Sequence, residues 1–500
     1  MAGIMRRLEK FQTVLEQLPG PVYRGTVTAC SGQTLRVRGL ERKLSAGDRC
    51  DILAQDGRRI ASEVIGFDGA SSLLMPFEAA EGIALGARVE TQGTGASVKP
   101  HPGWIGRVVN GLGEPVDGKG PLPQGEIARR LRGVPPSPYS RRRLGQKLET
   151  GVRALNVFAP LCRGQRIGVF SGSGVGKSTL LSMLARGGGA DVAVIGLIGE
   201  RGREVQEFLQ ETLGAEGLKR AVMVVSTSDE SPHMRRQATY LTLTVAEAFR
   251  DLGLQVVCLV DSITRFAMAQ REIGLTAGEP PASKGYPPSV FSEMARLLER
   301  AGPGTERQGD ITGIFTVLAE GDDHNDPIAD AARSILDGHI VLERAIAERG
   351  RFPAIDILKS VSRALPACHT PEEEAICREA RRYLAAFEEM RELIQLGAYK
   401  AGADPFVDRA IELEPALEAF LAQKADCRAS LEESFAELGK LLGHAGAAGL
   451  PEEEAAAELV PPHEPALTHE LPPELLADLR AMEEDGGIVI EEPIMKEARP

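Results

Sequence analysis

Apolar residues fall at Ile4, Leu8, Phe11, Leu15 and Leu18, a spacing that lines them along one face of a short helix. Pro19 and Gly20 then break the pattern. Residues 1–18 therefore read as an amphipathic helix, either packed on a core or docking a partner. From about Val22 to Glu90 the texture changes to short runs between glycines: VYRGTVTAC, TLRVRGL, RCDILA, RIASEVIGF and ARVETQ. Strands this short and this frequent predict a small antiparallel barrel over residues 20–92. It carries no catalytic constellation of its own.

Between about Pro100 and Pro366, continuous apolar runs alternate with helical stretches. QRIGVF, DVAVIGLIG, AVMVVST, VVCLVDS, ITGIFTVL and HIVLER have the composition of strands covered on both faces. Such runs with helices between them define an α/β domain around a mostly parallel sheet, bounded at 93–366. Beyond Thr370 the pattern is helical throughout, so 367–445 reads as a C-terminal helical domain. Residues 446–500 are rich in Glu, Pro and Ala and predict a disordered, solubilising tail, although its GIVI stretch is apolar enough to bind something.

Composition sharpens this picture in three ways. The chain is 43% hydrophobic, enough for real cores, yet no apolar run approaches the ~20 residues of a membrane helix. The opening MAGIMRRLEKFQ has no apolar stretch after its arginines and is not a secretory signal. Both features point to the cytoplasm. The net charge of −13 belongs to the tail: from Gly446 onward, 14 acidic against 3 basic residues carry −11 of it. The near-neutral body has few aromatics in its barrel stretch (Tyr23, Phe67, Phe77), which argues against a nucleic-acid face there. Seven dispersed cysteines without CxxC spacing read as small buried hydrophobes, not as a disulfide framework or a zinc site.

The strongest chemical signal is Ser171-Gly172-Ser173-Gly174-Val175-Gly176-Lys177-Ser178, between the strand RIGVF and the helix that opens with Ser178 and Thr179. Glycines there let backbone N–H groups turn inward around phosphates, and the helix N-terminus favours negative charge. Lys177 reaches the β/γ-phosphates of ATP and the Ser178 hydroxyl can ligate Mg²⁺. The strict pattern wants glycine at 171, where this chain has serine. Asp261, at the tip of QVVCLVD, is where a phosphate-loop ATPase holds the water shell of Mg²⁺. Glu200 follows DVAVIGLIG directly and has two readings. It orients and deprotonates the attacking water, with Arg201 stabilising charge beside it, or it belongs to a solvated cluster at a helix start.

IGERGREV resembles the GERxRE segment of rotary ATP synthase catalytic subunits and their relatives. VDSITRFAMAQREIGLTAGEPPASKGYPPSVFSEMARLLERAG and ITGIFTVLAEGDDHNDPIADAARSILDGHIVLERAIAERGRFPAIDILKSVSR resemble type III secretion ATPases, above all the flagellar branch. The tract GEPPASKGYPPSVF separates them from ordinary ATP synthase β subunits. The resemblance spans about residues 20 to 440.

That resemblance implies a RecA-like phosphate-loop core with an N-terminal β-barrel and a helical C-terminal domain, working as a ring of six. It implies that Lys177 and Ser178 serve phosphate and Mg²⁺, that Asp261 is the Walker B carboxylate, and that Glu200 is the catalytic base. Arg363, in SVSR, takes the position of the arginine finger supplied to the next subunit. The adenine pocket is expected near Ala364 to His369 and the following helical domain. His324, with Asp322, Asp323 and Asp326, belongs to a loop of the family and not to a metal site. The implied partners are a stator-like regulatory protein at residues 1–18, a coiled-coil central stalk, export gate proteins, chaperone–substrate complexes and a peripheral contact with the membrane apparatus. The alternatives are an injectisome ATPase, an ATP synthase β-type subunit and an RNA translocase.

Overall fold

A computed structural model describes residues 21–91, 95–172, 174–187, 189–318 and 326–444. The expected helix at 1–18, the tail 446–500, Ser173 and the His324 loop lie outside them. Six strands close into a barrel: β1 (Tyr23–Ser31), β2 (Thr34–Arg38), β3 (Arg49–Leu53), β4 (Arg59–Asp68), β5 (Ser71–Pro76) and β6 (Arg88–Thr91). Alternation makes its interior: in β2, Leu35 and Val37 turn in while Arg36 and Arg38 turn out, and Val27, Ile52, Ile60, Leu74 and Val89 fill the same core. The alternating pattern marks five strands. β5 (SSLLMP) is the sixth, buried at five of its six positions and so without alternation to reveal it.

The next domain is an eight-stranded sheet built from β7 (Val108–Val109), β8 (Arg166–Ser171), β9 (Val192–Glu200), β10 (Ala221–Thr227), β11 (Val256–Asp261), β12 (Ile311–Leu318), β13 (Gly338–Leu342) and β14 (Ile355–Ser362). Their order is β14-β13-β8-β12-β11-β9-β10-β7, parallel throughout except that β14 runs antiparallel to β13 at the edge. Burial on both faces explains the unbroken apolar runs: every residue of β11 is buried, as are eight of the nine in β9. Successive residues point into opposite cores. Val169 and Leu259 meet the helix after the phosphate loop, whereas Phe170 and Cys258 meet helices on the other face.

Five helices matter for the site: α1 (Lys177–Arg186), α2 (Pro232–Asp251), α3 (Ile263–Thr276), α4 (Pro371–Gln395) and α5 (Pro405–Leu421); α6 (Leu431–Leu442) ends the described chain. α4 and α6 both start with reciprocal capping boxes, Thr370 with Glu373 and Ser430 with Glu433. Leu413, Leu417, Phe420, Phe435 and Leu438 from these helices join the same apolar core as Val157 and Ile357 of the sheet domain. Helical and sheet domains thus share one hydrophobic interior. Four of the cysteines are buried as expected, but Cys30 and Cys427 are exposed and Cys368 is half-buried; all seven are free thiols.

The barrel docks on the start of α2 through a buried charge cluster. Glu63 of β4 lies 3.0 Å from His233 Nε2 and accepts from Arg236 (3.0 Å) and Arg132 (2.8 Å). The His233 ring packs on Phe77, centroids 4.5 Å apart. Burial alone would raise the Glu63 pKa, but Arg236, His233 and Arg132 hold it well below the carboxylate range. Complete burial outweighs Glu63 for His233 and pushes its pKa down to about 4. His233 folds neutral, so its contribution is complete above its unfolded pKa of about 6.5 and falls away as the pH drops toward 4. Thermal unfolding followed from pH 7 to 4 is expected to lose up to about 3 kcal/mol over that window, and His233→Gln, which cannot gain the charge, to flatten it.

Candidate active site

The phosphate loop leaves β8 and enters α1, which places it at the carboxyl edge of the parallel sheet, where open α/β sheets bind ligands. Gly174 (φ 76°) and Gly176 (φ 85°) take left-handed conformations that turn the backbone inward. Val175 between them is buried at 1% exposure and anchors the loop. Ser171 is no defect in this arrangement: it is the last strand residue, buried, and the turn begins after it. Its hydroxyl has no hydrogen-bond partner among the described residues.

Lys177 sits at the start of α1 and reaches back across the sheet edge. Its Nζ lies 2.6 Å from Asp261 Oδ1 at the end of β11 and 3.3 Å from Glu200 Oε1 at the end of β9. Thr316 of β12 donates to the same Asp261 oxygen at 2.7 Å. Burial opposes charge on Lys177, but the Asp261 and Glu200 carboxylates outweigh it and raise its pKa. Burial and then the Asp261 charge push the Glu200 carboxyl up to about 7 against the pull of Lys177. Glu200 is therefore no solvated surface acid. Gly199 before it has φ 70°, and a Cβ there would come within 3.0 Å of the Arg265 side chain.

These groups open on a cavity of about 530 Å³, lined by Ser171, Gly172, Gly174, Gly176, Lys177, Ser178, Thr179, Glu200 and Arg201, among others. Arg201 stands at its rim, 81% exposed and 3.7 Å from Glu204. Two further residues come from elsewhere in the chain. Arg265, in the first turn of α3, lines the cavity with its Nε buried and no acceptor among the described residues. Phe352 is 45% exposed, and a Cβ on Gly176 would lie 3.3 Å from its ring. The backbone N–H of Gln423, beyond α5, fixes Phe352 by donating to its carbonyl at 2.8 Å. Nothing local in the sequence marks either residue.

The donor set suits an anionic nucleotide: inward-turned backbone, a lysine, an arginine whose Nε has no acceptor among the described residues, and an exposed ring. It also suits Mg²⁺, which takes one or two protein oxygens and shares the rest with phosphate and water. Ser178 lines the cavity, and Asp261 stands beside the Lys177 amine. Among the described residues no group of three or more His, Cys, Asp and Glu could hold a metal by itself. Asp326, beside the His324 loop, caps the helix Pro327–Ile335 by accepting from Ile328 N at 2.8 Å.

Arg363 is not in this cavity. The register pairs Ser171 with Leu342 and Leu342 with Ile355, so β14 begins at the phosphate-loop end. Gly338 pairs with Ser362 beyond a bulge in the edge strand, which puts Arg363 at the opposite end, roughly 13 Å along the sheet at ~3.3 Å per residue over the four steps from Leu342 to Gly338. There it is exposed on the edge of the sheet, donating to the Arg333 carbonyl at 3.4 Å. The adenine pocket expected near Ala364 to His369 fails on the same geometry. That loop lies at the far end too, with His369 against Phe435 (5.2 Å between centroids), and Phe352 is the aromatic beside the phosphate loop.

Fold and site together define a phosphate-loop ATPase with a barrel before it and a helical domain after it. The ATP synthase alpha/beta family nucleotide-binding domain matches residues 151–362, and the T3SS EscN ATPase C-terminal domain matches 369–440. The chain is 56% identical over 429 residues to the flagellum-specific ATP synthase of Caulobacter vibrioides, covering 85% of this chain and 96% of that one. It is 47% identical over 441 residues to the Salmonella typhimurium protein of the same name, at 86% and 96% coverage. A type 3 secretion system ATPase of Xanthomonas euvesicatoria is 44% identical over 412 residues, at 82% and 92%. The assembled ATPase EscN of the enteropathogenic E. coli type III secretion system superposes with a TM-score of 0.77 at 39% identity, covering 84% of this chain and all of that one. This chain belongs to the flagellum-specific ATP synthase family, and it is an ATPase.

Phe352→Ala is expected to weaken binding of ATP and ADP alike by roughly 5- to 150-fold, the value of about 1–3 kcal/mol for one base–aromatic stack, with little change in kcat. Equilibrium binding of a fluorescent ADP analogue, beside steady-state kinetics, checks this.

Proposed function

We propose that this chain energises the export of flagellar proteins through a type III secretion apparatus by hydrolysing Mg-ATP in a homohexameric ring. The observation that carries the chemistry is Lys177 held between Asp261 and Glu200 under the glycine loop. When ATP enters, Lys177 exchanges those carboxylates for the β/γ-phosphates, and the loop N–H groups of residues 172–178 cradle the same oxygens. Glu200, released from Lys177, accepts a proton from the attacking water as its oxygen bonds to the γ-phosphorus and the bond to ADP breaks. Mg²⁺, held by Ser178 and through water by Asp261, supplies charge neutralisation at the phosphate oxygens. Arg201 at the rim and Arg265 in the wall offset the charge that develops there.

Arg363 lies too far from its own cavity to act on it, which supports a finger supplied to the next subunit across the exposed edge of the sheet. EscN is known both assembled and in complex with its central stalk EscO, which supports a hexamer here and a coiled-coil stalk in its pore. Residues 1–18 dock a stator-like regulator. Chaperone–substrate complexes and the export gate are the remaining partners, and nucleic acid is not one. No described helix is long and apolar enough to cross a membrane, in keeping with a cytoplasmic protein held peripherally on the inner-membrane apparatus. The 44% identity to the type 3 secretion system ATPase of Xanthomonas euvesicatoria keeps the injectisome as the second reading.

Specific ATPase activity is expected to rise with protein concentration. Glu200→Gln and Arg363→Ala are each expected to lower kcat by at least ~10²-fold, with partial recovery on mixing them. Activity indifferent to concentration and to Arg363 overturns the interfacial site. Deletion of residues 1–18 should weaken regulator binding and leave hydrolysis intact; unchanged affinity in a titration removes that role.

A further inference from the structure

The buried cluster between barrel and ATPase domain takes no part in the chemistry above, yet it reaches both walls of the nucleotide cavity. Glu63 and Arg236 are 2% and 4% exposed, and burying an ion pair this completely is rarely worth its desolvation cost for stability alone. Arg236 does not stop at Glu63. Its second guanidinium nitrogen donates to Gln270 Oε1 at 3.3 Å, on the inward face of α3. α3 begins directly after Asp261, its first turn carries Arg265 into the cavity, and Gln270 is itself 6% exposed.

A second connection leaves from the same helix end. Ser231 caps α2 and donates to the Phe77 carbonyl of the barrel at 2.7 Å. Three residues earlier, Ser228 lines the cavity and its N–H donates to the Glu200 carbonyl at 2.9 Å. The barrel therefore grips, within six residues of α2, the segment touching the backbone of Glu200 and the side chain steadying the helix of Arg265. By contrast, Lys177 bonds to Asp261 and Glu200, and no side-chain hydrogen bond joins Lys177 or Phe352 to this cluster among the described residues.

We propose that Arg236, clamped by Glu63 of the barrel, is a positioning residue for hydrolysis, acting through Gln270 to set the wall of the nucleotide cavity formed by α3. The consequence is that barrel docking tunes turnover much more than nucleotide affinity, because a displacement of about 1 Å in a reacting constellation can cost ~10²-fold in rate. The inference rests on the reading of Glu200 as the catalytic carboxylate.

The test uses the full chain and spares the Glu63–Arg236 pair, whose disruption endangers folding. Gln270→Met removes the acceptor for Arg236 at similar volume, and Gln270→Glu keeps an acceptor oxygen at the same place. Steady-state kcat and KM for ATP, affinity for a fluorescent ADP analogue, and Tm are measured for both, beside Glu200→Gln. Gln270→Met is expected to lower kcat about tenfold while KM and ADP affinity stay within about twofold, and Gln270→Glu to restore kcat to within about twofold of the parent. Wild-type kcat in Gln270→Met, equal losses in both Gln270 variants, or a rise in KM matching the fall in kcat overturns the proposal. If Glu200→Gln turns over normally, the reading of the catalytic carboxylate fails instead, whatever Gln270 does.

Discussion

One positive charge organises the site: the Lys177 amine, set by the first turn of α1 between two carboxylates that end neighbouring strands. Without it, Asp261 and Glu200 would face each other in a buried cleft, and an unpaired charge there costs about 3–5 kcal/mol. The same geometry fixes what surrounds it. Parallel strands bring their carboxyl ends to one edge, the glycine loop must cross that edge, and Thr316 must support Asp261 from the strand beside it. Lys177 thus neutralises two buried carboxylates at once, directly beneath the glycine loop.

Around this centre the domains are joined by two physically different contacts. The helical domain shares a hydrophobic core with the sheet, a non-directional attachment that keeps Phe352 in place through the Gln423 N–H. The barrel is joined at the start of α2 by a directional network in which the Glu63 carboxylate, the Arg236 guanidinium and a neutral histidine are buried and the Arg132 guanidinium reaches in from the surface. A network of that kind tolerates little sliding, since any shift leaves a buried charge partly unpaired. It is a suitable joint for transmitting the position of the barrel to the site, whereas the apolar joint is suited to holding the helices.

Much of this was legible in the residues because it depends on local pattern. The glycine loop and the strands of unbroken apolar character declare themselves by spacing, whereas the carboxylates at their tips needed the family resemblance to tell them from solvated acids. β5 and β14 escaped for opposite reasons. SSLLMP is buried nearly throughout and never alternates, while IDILKSVS is an antiparallel edge strand that mixes Asp and Lys among its apolar residues. Glu63 and His233 look like ordinary polar positions of a barrel strand and a helix start. Arg265 and Phe352 lie inside the stretches SITRFAMAQ and RGRFPAID that carry the family resemblance, but no spacing rule assigns either a place at the site.

The sequence by itself determined the parts that a short stretch of chain can encode: the order of barrel, sheet and helices, and the glycine loop that carries Lys177 and Ser178 from a strand into a helix. Backbone geometry, side-chain period and local charge are properties of neighbours along the chain. Only the tertiary structure decided that Phe352 and not the loop after Arg363 meets the phosphate loop, that Arg363 faces away from its own cavity, and that Glu63 is tied to the wall beside Glu200. Each of those facts follows from strand order, register and the burial of charge between domains, which bring together residues up to 170 or more positions apart. No local pattern carries that information.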